Sequence, residues 1–309
     1  MAIVLIRQDD KLDLWKKAIL RQFPDIPVYH YLEDHPKEEI IMAIVWKHPH
    51  GSLNEYRNLK CIASFGAGVD FIFNDPTLAG TIPITRVIDP VLASDMSEYV
   101  MSVILGYLKN FNSYQQDQNN DVWNPKTYQR IQDHTVGILG AGTLGMTLAR
   151  DLKKIGFKVI GWVNSKRQEQ NIPLYVGDSQ KEDFLKKSTV LVCLLPLTKT
   201  TTGILNKENL SKLPQGGFLI NVARGGHLVE QDLIELLNKG HLSGACLDVF
   251  NEEPLPKTHP FWKHAKIQIT PHVASVSDPN SVVPQLIENY LRLHDCKPLL
   301  NAVDLSKGY

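Results

Sequence analysis

The sequence predicts an α/β protein built from two doubly wound parallel sheets, with one domain inserted into the other. Three observations carry that reading. Strand and helix signals alternate over residues 2–87. A short apolar run at 136–139 flows into a G-x-G-x-x-G turn at Gly140, Gly142 and Gly145. A helical stretch at 278–294 then follows the last strand signal, which lets the chain return to its first domain. A length of 309 residues is long for one core and comfortable for two.

Residues 2–6 read as a strand, 11–22 as a helix, and 41–46, 61–65 and 82–87 as further strands. Such alternation implies a mostly parallel sheet covered by helices. One long helix is expected over 92–116. Tyr99, Val103, Tyr107 and Phe111, with Val100, Ile104 and Leu108, give it a broad apolar face at helical spacing. A face that wide implies burial between domains or between subunits. Residues 112–125, rich in Gln, Asn and Asp, read as the most polar, loop-like stretch. In the second unit the strand at 136–139 and helix at 143–155 lead to strands at 158–163, 190–194 and 217–222. A helix at 229–237 and strands at 245–249 and 266–270 complete it. The order matches a two-half doubly wound sheet. The expected division is 1–94 plus 277–309 for one domain and 95–276 for the other.

Apolar residues make up 43% and charged residues 21%, an ordinary globular balance. Basic and acidic residues number 33 each, and no basic block stands out, which argues against a nucleic-acid or anionic-membrane surface. The apolar run after Met1 is short and lacks a basic leader, so a first strand is expected there, not a signal peptide. No stretch is expected to span a membrane. Cys61, Cys193, Cys246 and Cys296 are widely separated, and Cys193 and Cys246, inside apolar runs, read as buried thiols. A cytoplasmic setting and no bound metal are the expectations.

Each glycine of the turn has its own task. Gly140 permits the tight turn, Gly142 lets the backbone approach a pyrophosphate, and Gly145 lets the helix pack on the sheet. The helix N-terminus offers N–H groups to the phosphates. Sheets of this kind usually place an Asp or Glu about twenty residues on, to hold a ribose 2′-OH. Here the strand ends in Asn164, Ser165, Lys166 and Arg167, and no carboxylate appears before Glu169. Hydrogen-bond donors and two cations suit a 2′-phosphate, so NADPH is expected, with NADH the weaker cofactor.

Hydride transfer to a keto acid needs a cation for the carboxylate and carbonyl, a proton donor, and a group that tunes the donor. Arg224 follows a strand in N-V-A-R-G-G, and its planar fork suits a carboxylate. His272 lies past the last strand in T-P-H-V-A, and Glu253 follows a strand in L-D-V-F-N-E-E-P, with Glu252 beside it as a competitor. A histidine bonded to a carboxylate has a fixed tautomer and a favoured charged form, as a general acid requires.

These motifs resemble the D-2-hydroxyacid dehydrogenase family, nearest its glyoxylate/hydroxypyruvate reductase branch of the bacterial A type. The resemblance covers essentially the whole chain. It rests on G-A-G-V-D at residues 66–70, the glycine turn, L-L-P-L-T at 194–198, N-V-A-R-G at 221–225, L-D-V-F-x-x-E-P at 247–254, T-P-H-V-A at 270–274 and the closing K-G-Y. It implies a Rossmann cofactor domain inserted into a flavodoxin-like substrate domain. It further implies that Arg224 binds a small 2-oxo acid, that His272 protonates the carbonyl oxygen, and that Glu253, not Glu252, bonds His272. Ala67 and Gly68 would hold the substrate carboxylate through their amides, and Trp46 would cap the pocket, its competing reading being a core aromatic. Thr143, Leu144, Leu195, Pro196, Val222 and Ala223 would join the turn in binding cofactor. Asp248 would contact the nicotinamide carboxamide, with a structural strand-end role as the alternative. Domain closure over hinges near Ser94 and Val276 and a homodimer formed through the 92–116 region are also implied. D-lactate and phosphoglycerate dehydrogenases share the same catalytic set, although an end at Tyr309 would weigh against the latter. A nucleotide-sensing binding protein with little turnover is the alternative from another class.

Overall fold

The computed structural model describes all residues except Asp10, Ala79, Arg167, Gln168, Gln170 and Tyr309. The chain divides into two compact units, Met1–Leu92 with Val276–Tyr309, and Ala93–Ser275. The helices are α1 (Leu12–Gln22), α2 (Asp70–Phe73), α3 (Pro90–Leu108), α4 (Phe111–Asn119), α5 (Thr143–Lys154), α6 (Gly177–Lys187), α7 (Lys207–Leu210), α8 (Glu230–Asn238) and α9 (Pro279–His294).

In the first unit β1 (Ala2–Arg7), β2 (Val28–His30), β3 (Ile40–Trp46), β4 (Cys61–Ser64) and β5 (Ile84–Thr85) form a parallel sheet in the order β2-β1-β3-β4-β5. Its central strands are covered on both faces, which is why A-I-V-L-I-R and I-I-M-A-I-V-W read as nearly unbroken apolar runs. One face packs on Trp15, Ala18 and Ile19 of α1 and on Val282, Val283, Leu286 and Ile287 of α9. The other carries Leu53, Tyr56, Leu59, Ile72 and Val303. The stretch expected as a strand over 82–87 keeps ladder pairing only at Ile84–Thr85, because the Val87 amide donates to the Gly66 carbonyl instead.

A buried hydrogen-bonded pair ties two loops of this unit. His48 Nε2 lies 3.1 Å from Asp75 Oδ2, with both side chains fully covered. Asp75 also accepts from the Thr77 amide and hydroxyl and from the Gly51 amide. Burial alone would raise the Asp75 carboxyl, but these hydrogen bonds together outweigh it and hold it at about 2. Burial likewise pushes the His48 imidazole down, against the pull of Asp75. A carboxyl depressed on folding adds stability that is complete above the unfolded value of about 3.9 and is lost as pH falls through the folded one. Asp75→Asn should therefore lower Tm at neutral pH, and its deficit against the parent should shrink as pH drops from 4 toward 2. Thermal melts across that range check it; a pH-independent deficit rejects the linkage.

The second unit holds β6 (Thr135–Leu139), β7 (Lys158–Val163), β8 (Leu174–Val176), β9 (Val190–Cys193), β10 (Gly217–Asn221), β11 (Leu242–Leu247) and β12 (Ile267–Ile269). All pair in parallel, in the order β12-β11-β10-β9-β6-β7-β8. The chain thus winds outward in both directions from a switch point between β6 and β9, where such sheets bind ligands at the strands' carboxyl ends. Val100, Ile104 and Leu108 of α3 and Met146, Leu148, Ala149 and Leu152 of α5 bury one face. Phe184 and Leu185 of α6 and Leu233, Leu236 and Leu237 of α8 bury the other.

The single helix expected over 92–116 is two helices. Asn110 breaks it with a left-handed φ of 61°, and its side-chain amide donates to the Thr127 carbonyl. Part of the stretch expected as a polar loop is therefore α4. By length and composition α3 could cross a membrane, contrary to the expectation that no stretch would. Its Val100, Ile104 and Leu108 are fully buried in the second unit's core.

Candidate active site

Gly140 follows β6 with a φ of 99°, and a Cβ there would lie 2.7 Å from the Leu194 backbone. Only a glycine lets the turn close on the loop after β9 at the switch point. A Cβ on Gly145 would stand 2.4 Å from the Gly140 carbonyl oxygen, so α5 rests directly on the turn. Gly142 differs. It is exposed at the N-cap of α5, no side chain caps that helix, and a Cβ on it would meet nothing within 4 Å. The first-turn amides of α5 thus face open space beside a positive dipole end, which fits a dinucleotide pyrophosphate. Thr143 at the same turn is exposed and Leu144 half-buried.

Asn164, Ser165 and Lys166 are exposed just past β7, whereas Arg167 lies outside the described residues. Glu169 is turned toward Arg150 of α5, at 4.0 Å, and accepts from the Asn171 amide at 3.5 Å. Lys166 and Glu169 border an open depression of about 380 Å³. Leu195, Val222 and Ala223 are core residues, and Pro196 is half-buried. The core holds the side chains of Leu195, Val222 and Ala223, so any contact they make with a cofactor falls to their backbone.

Three loops follow three successive strands of the sheet, all on its carboxyl side. Arg224 lies after β10, Glu253 after β11 and His272 after β12. His272 Nδ1 is 2.9 Å from Glu253 Oε2, and Glu253 Oε1 accepts the Phe250 amide at 3.1 Å. Glu252 is exposed. Both members of the His272–Glu253 pair are partly covered, with side chains 28% and 20% exposed, so the pair is shielded yet reachable. The Arg224 loop packs against the same segment. A Cβ on Gly225 would lie 2.0 Å from the Phe250 carbonyl carbon, an approach no other residue permits. The Arg224 carbonyl accepts from Asn221 Nδ2 at 3.0 Å and bonds His227 Nδ1 at 3.1 Å, while Arg224 Nη1 donates to the Ala223 carbonyl at 2.6 Å. Asn221 and His227 are wholly buried. Neither was legible as a site residue, although a polar residue closing the apolar run F-L-I-N is a signal in retrospect.

Asp248 is buried, and both of its carboxylate oxygens are engaged by the loop that carries His272. Asp248 thus ties its strand end to that loop. In the first unit, Ser64 Oγ donates to the Gly68 carbonyl at 2.8 Å and accepts the Gly66 amide at 3.1 Å, which curls residues 66–68 into a tight loop. Ala67 and Gly68 are half-buried there. Trp46, half-buried at the end of β3, meets the Phe71 ring edge-on at 5.2 Å.

Residues 101–274 match the family model for the D-isomer specific 2-hydroxyacid dehydrogenase NAD-binding domain. The chain is 37% identical over 302 residues to glyoxylate/hydroxypyruvate reductase A of Serratia proteamaculans, covering 96% of each chain. Among solved structures it is similar to a D-isomer specific 2-hydroxyacid dehydrogenase from Xanthobacter autotrophicus Py2, crystallised with NADPH and MES. The identity is 34%, the TM-score 0.94, and the coverage 100% of this chain and 99% of that one. It is also similar to an NADPH-dependent glyoxylate/hydroxypyruvate reductase from Sinorhizobium meliloti in complex with NADP and sulfate, at 34% identity, a TM-score of 0.92 and full coverage of both chains.

Proposed function

The chain belongs to the D-isomer specific 2-hydroxyacid dehydrogenase family, an oxidoreductase family, and from that premise we propose that it is a cytoplasmic, NADPH-dependent reductase of glyoxylate and hydroxypyruvate. The observation that carries the reading is the 2.9 Å bond between His272 and Glu253 beside the Arg224 loop. When bound, NADPH supplies the hydride that adds to the carbonyl carbon. His272 gives its proton to the carbonyl oxygen, so the 2-oxo acid leaves as a 2-hydroxy acid. Glu253 fixes the imidazole tautomer and the orientation of the ring. Arg224 binds the planar acid and the oxygen that gains charge. By the family resemblance, substrate binding is assigned to the first unit, through the amides of Ala67 and Gly68 and the ring of Trp46.

The test is steady-state oxidation of NADPH with a panel of 2-oxo acids. Glyoxylate and hydroxypyruvate should give the highest kcat/KM. A preference for pyruvate or 3-phosphohydroxypyruvate would move the chain to another branch, and negligible turnover would favour a sensing role.

Asn164, Ser165 and Lys166 carry the preference for NADPH, since Glu169 is drawn to Arg150. Asn164→Asp places an acceptor for a ribose 2′-OH and a repulsive charge for a 2′-phosphate at the end of β7. It should shift the ratio of kcat/KM for NADPH over NADH toward NADH by about ten- to a hundredfold, the range of one charge-assisted contact. An unaltered ratio removes this part of the proposal.

A homodimer is part of the same proposal. Phe111 is 65% and Trp123 95% exposed, in and just beyond α4, and large aromatic groups so placed suit a subunit interface. Light scattering should give twice the chain mass.

A further inference from the structure

Asp248 clamps the His272 loop at three points. The Asp248 carbonyl accepts the His272 amide at 2.8 Å, Oδ1 accepts the Val273 amide at 2.9 Å, and Oδ2 accepts the Ala274 amide at 2.9 Å. Three successive amides therefore converge on one buried strand end. They hold His272 at a φ of 54°, a left-handed backbone that residues with a side chain rarely adopt. Glu253 fixes the imidazole ring, while Asp248 fixes the backbone from which that ring projects.

The clamp has an outer support on a different element. A carboxylate only accepts, so the 2.6 Å bond between Thr270 Oγ1 and Asp248 Oδ1 uses the threonine's one proton. The 2.5 Å contact between Tyr99 Oη and Thr270 Oγ1 must then be donated by Tyr99. Tyr99 Oη in turn stands 3.5 Å from Cys246 Sγ, whose S–H is left to donate. The polarity runs one way, from Cys246 through Tyr99 and Thr270 to Asp248, and bonds aligned in that manner strengthen one another. Burial raises the Tyr99 phenol far above its ordinary value, and the neighbouring Cys246 raises it further, so it remains a donor throughout the working pH range.

We propose that Tyr99 on α3 is a positioning residue for the reduction: acting through Thr270 and Asp248, its hydroxyl fixes the loop that aims His272 at the substrate. The proposal rests on the reading of His272 as proton donor. Tyr99 touches no reacting atom in this scheme. If its hydroxyl is removed, Thr270 loses the donor that orients it and the hold of Asp248 on the loop slackens. The Nδ1–Glu253 bond then loosens, and the ring is aimed less well.

Tyr99→Phe deletes one oxygen and keeps the ring. Thr270→Val keeps the shape and deletes the hydroxyl, and Thr270→Ser restores it. With NADPH and glyoxylate, Tyr99→Phe and Thr270→Val should each lower kcat by about five- to tenfold, the order of one lost hydrogen bond, with KM for NADPH unchanged. Thr270→Ser should recover kcat. Parental kcat in Tyr99→Phe and Thr270→Val would overturn the proposal, and so would a lowered Tm with kcat unchanged, since that marks a purely structural chain. If Tyr99→Phe does not fold, Thr270→Val set against Thr270→Ser decides alone. His272→Ala measured alongside separates the two failures. Parental turnover there overturns the proton-donor reading and this inference with it, whereas an impaired His272→Ala beside unaffected hydroxyl variants overturns this inference only.

Discussion

His272→Ala is expected to lower kcat for NADPH-driven glyoxylate reduction by about 10²–10⁴, the usual worth of a positioned general acid. That corresponds to roughly 3–5.5 kcal/mol of barrier. Affinity for NADPH should stay near the parental value, because under this reading the pyrophosphate rests on the turn after β6 and not on the loop after β12. The geometry explains why one side chain should matter so much. Glu253 engages Nδ1 at 2.9 Å, which under this reading commits Nε2 to the substrate oxygen. Glu253→Gln makes a graded companion. It keeps an oxygen near Nδ1 but removes the carboxylate charge beside the ring, so kcat should fall less than in His272→Ala. Stopped-flow hydride transfer on both variants reads the two losses. Parental turnover in His272→Ala would remove the histidine from the chemistry, whatever its partner does.

The parts of the protein legible from sequence are those whose physics is local. A glycine at a φ of 99° that closes on a neighbouring loop leaves a spaced motif, and strands buried on both faces leave apolar runs. β8 left neither, being three half-buried residues at the edge of its sheet. The break at Asn110 was half legible, since asparagine is among the few residues that tolerate a left-handed backbone. What fixes the break, however, is a bond to Thr127, seventeen residues away. The site follows the same rule. Arg224, Glu253 and His272 could be nominated because each stands just past a strand end. The grip of Asp248 on the His272 loop, and the support Tyr99 gives it from 171 residues before Thr270, exist only once the sheet is assembled. Motif spacing also could not separate side-chain contacts from backbone ones, which is why Leu195, Val222 and Ala223 read as cofactor ligands although their side chains belong to the core.

Arg224→Ala is expected to differ in kind from His272→Ala, raising KM for glyoxylate while also lowering kcat. Loss of one donor to a developing oxyanion costs about 10²–10³ in kcat, and loss of the carboxylate contact adds a ground-state component. The Arg224 backbone is held from behind: Asn221 and His227 bond its carbonyl, and Gly225 lets its loop lie on the Phe250 backbone, whose amide is bonded to Glu253. Arg224 and His272 therefore rest on one connected frame. Arg224→Lys tests what that frame presents. Lysine keeps the charge but replaces a planar fork with a point ammonium, so it should recover part of the KM and little of the kcat if bidentate geometry is what counts. Steady-state kinetics on both variants, with NADPH binding followed by nicotinamide fluorescence, give the separation. Full recovery of kcat/KM by lysine would mean that charge alone suffices at this position, and the argument from the guanidinium's shape would have to be abandoned.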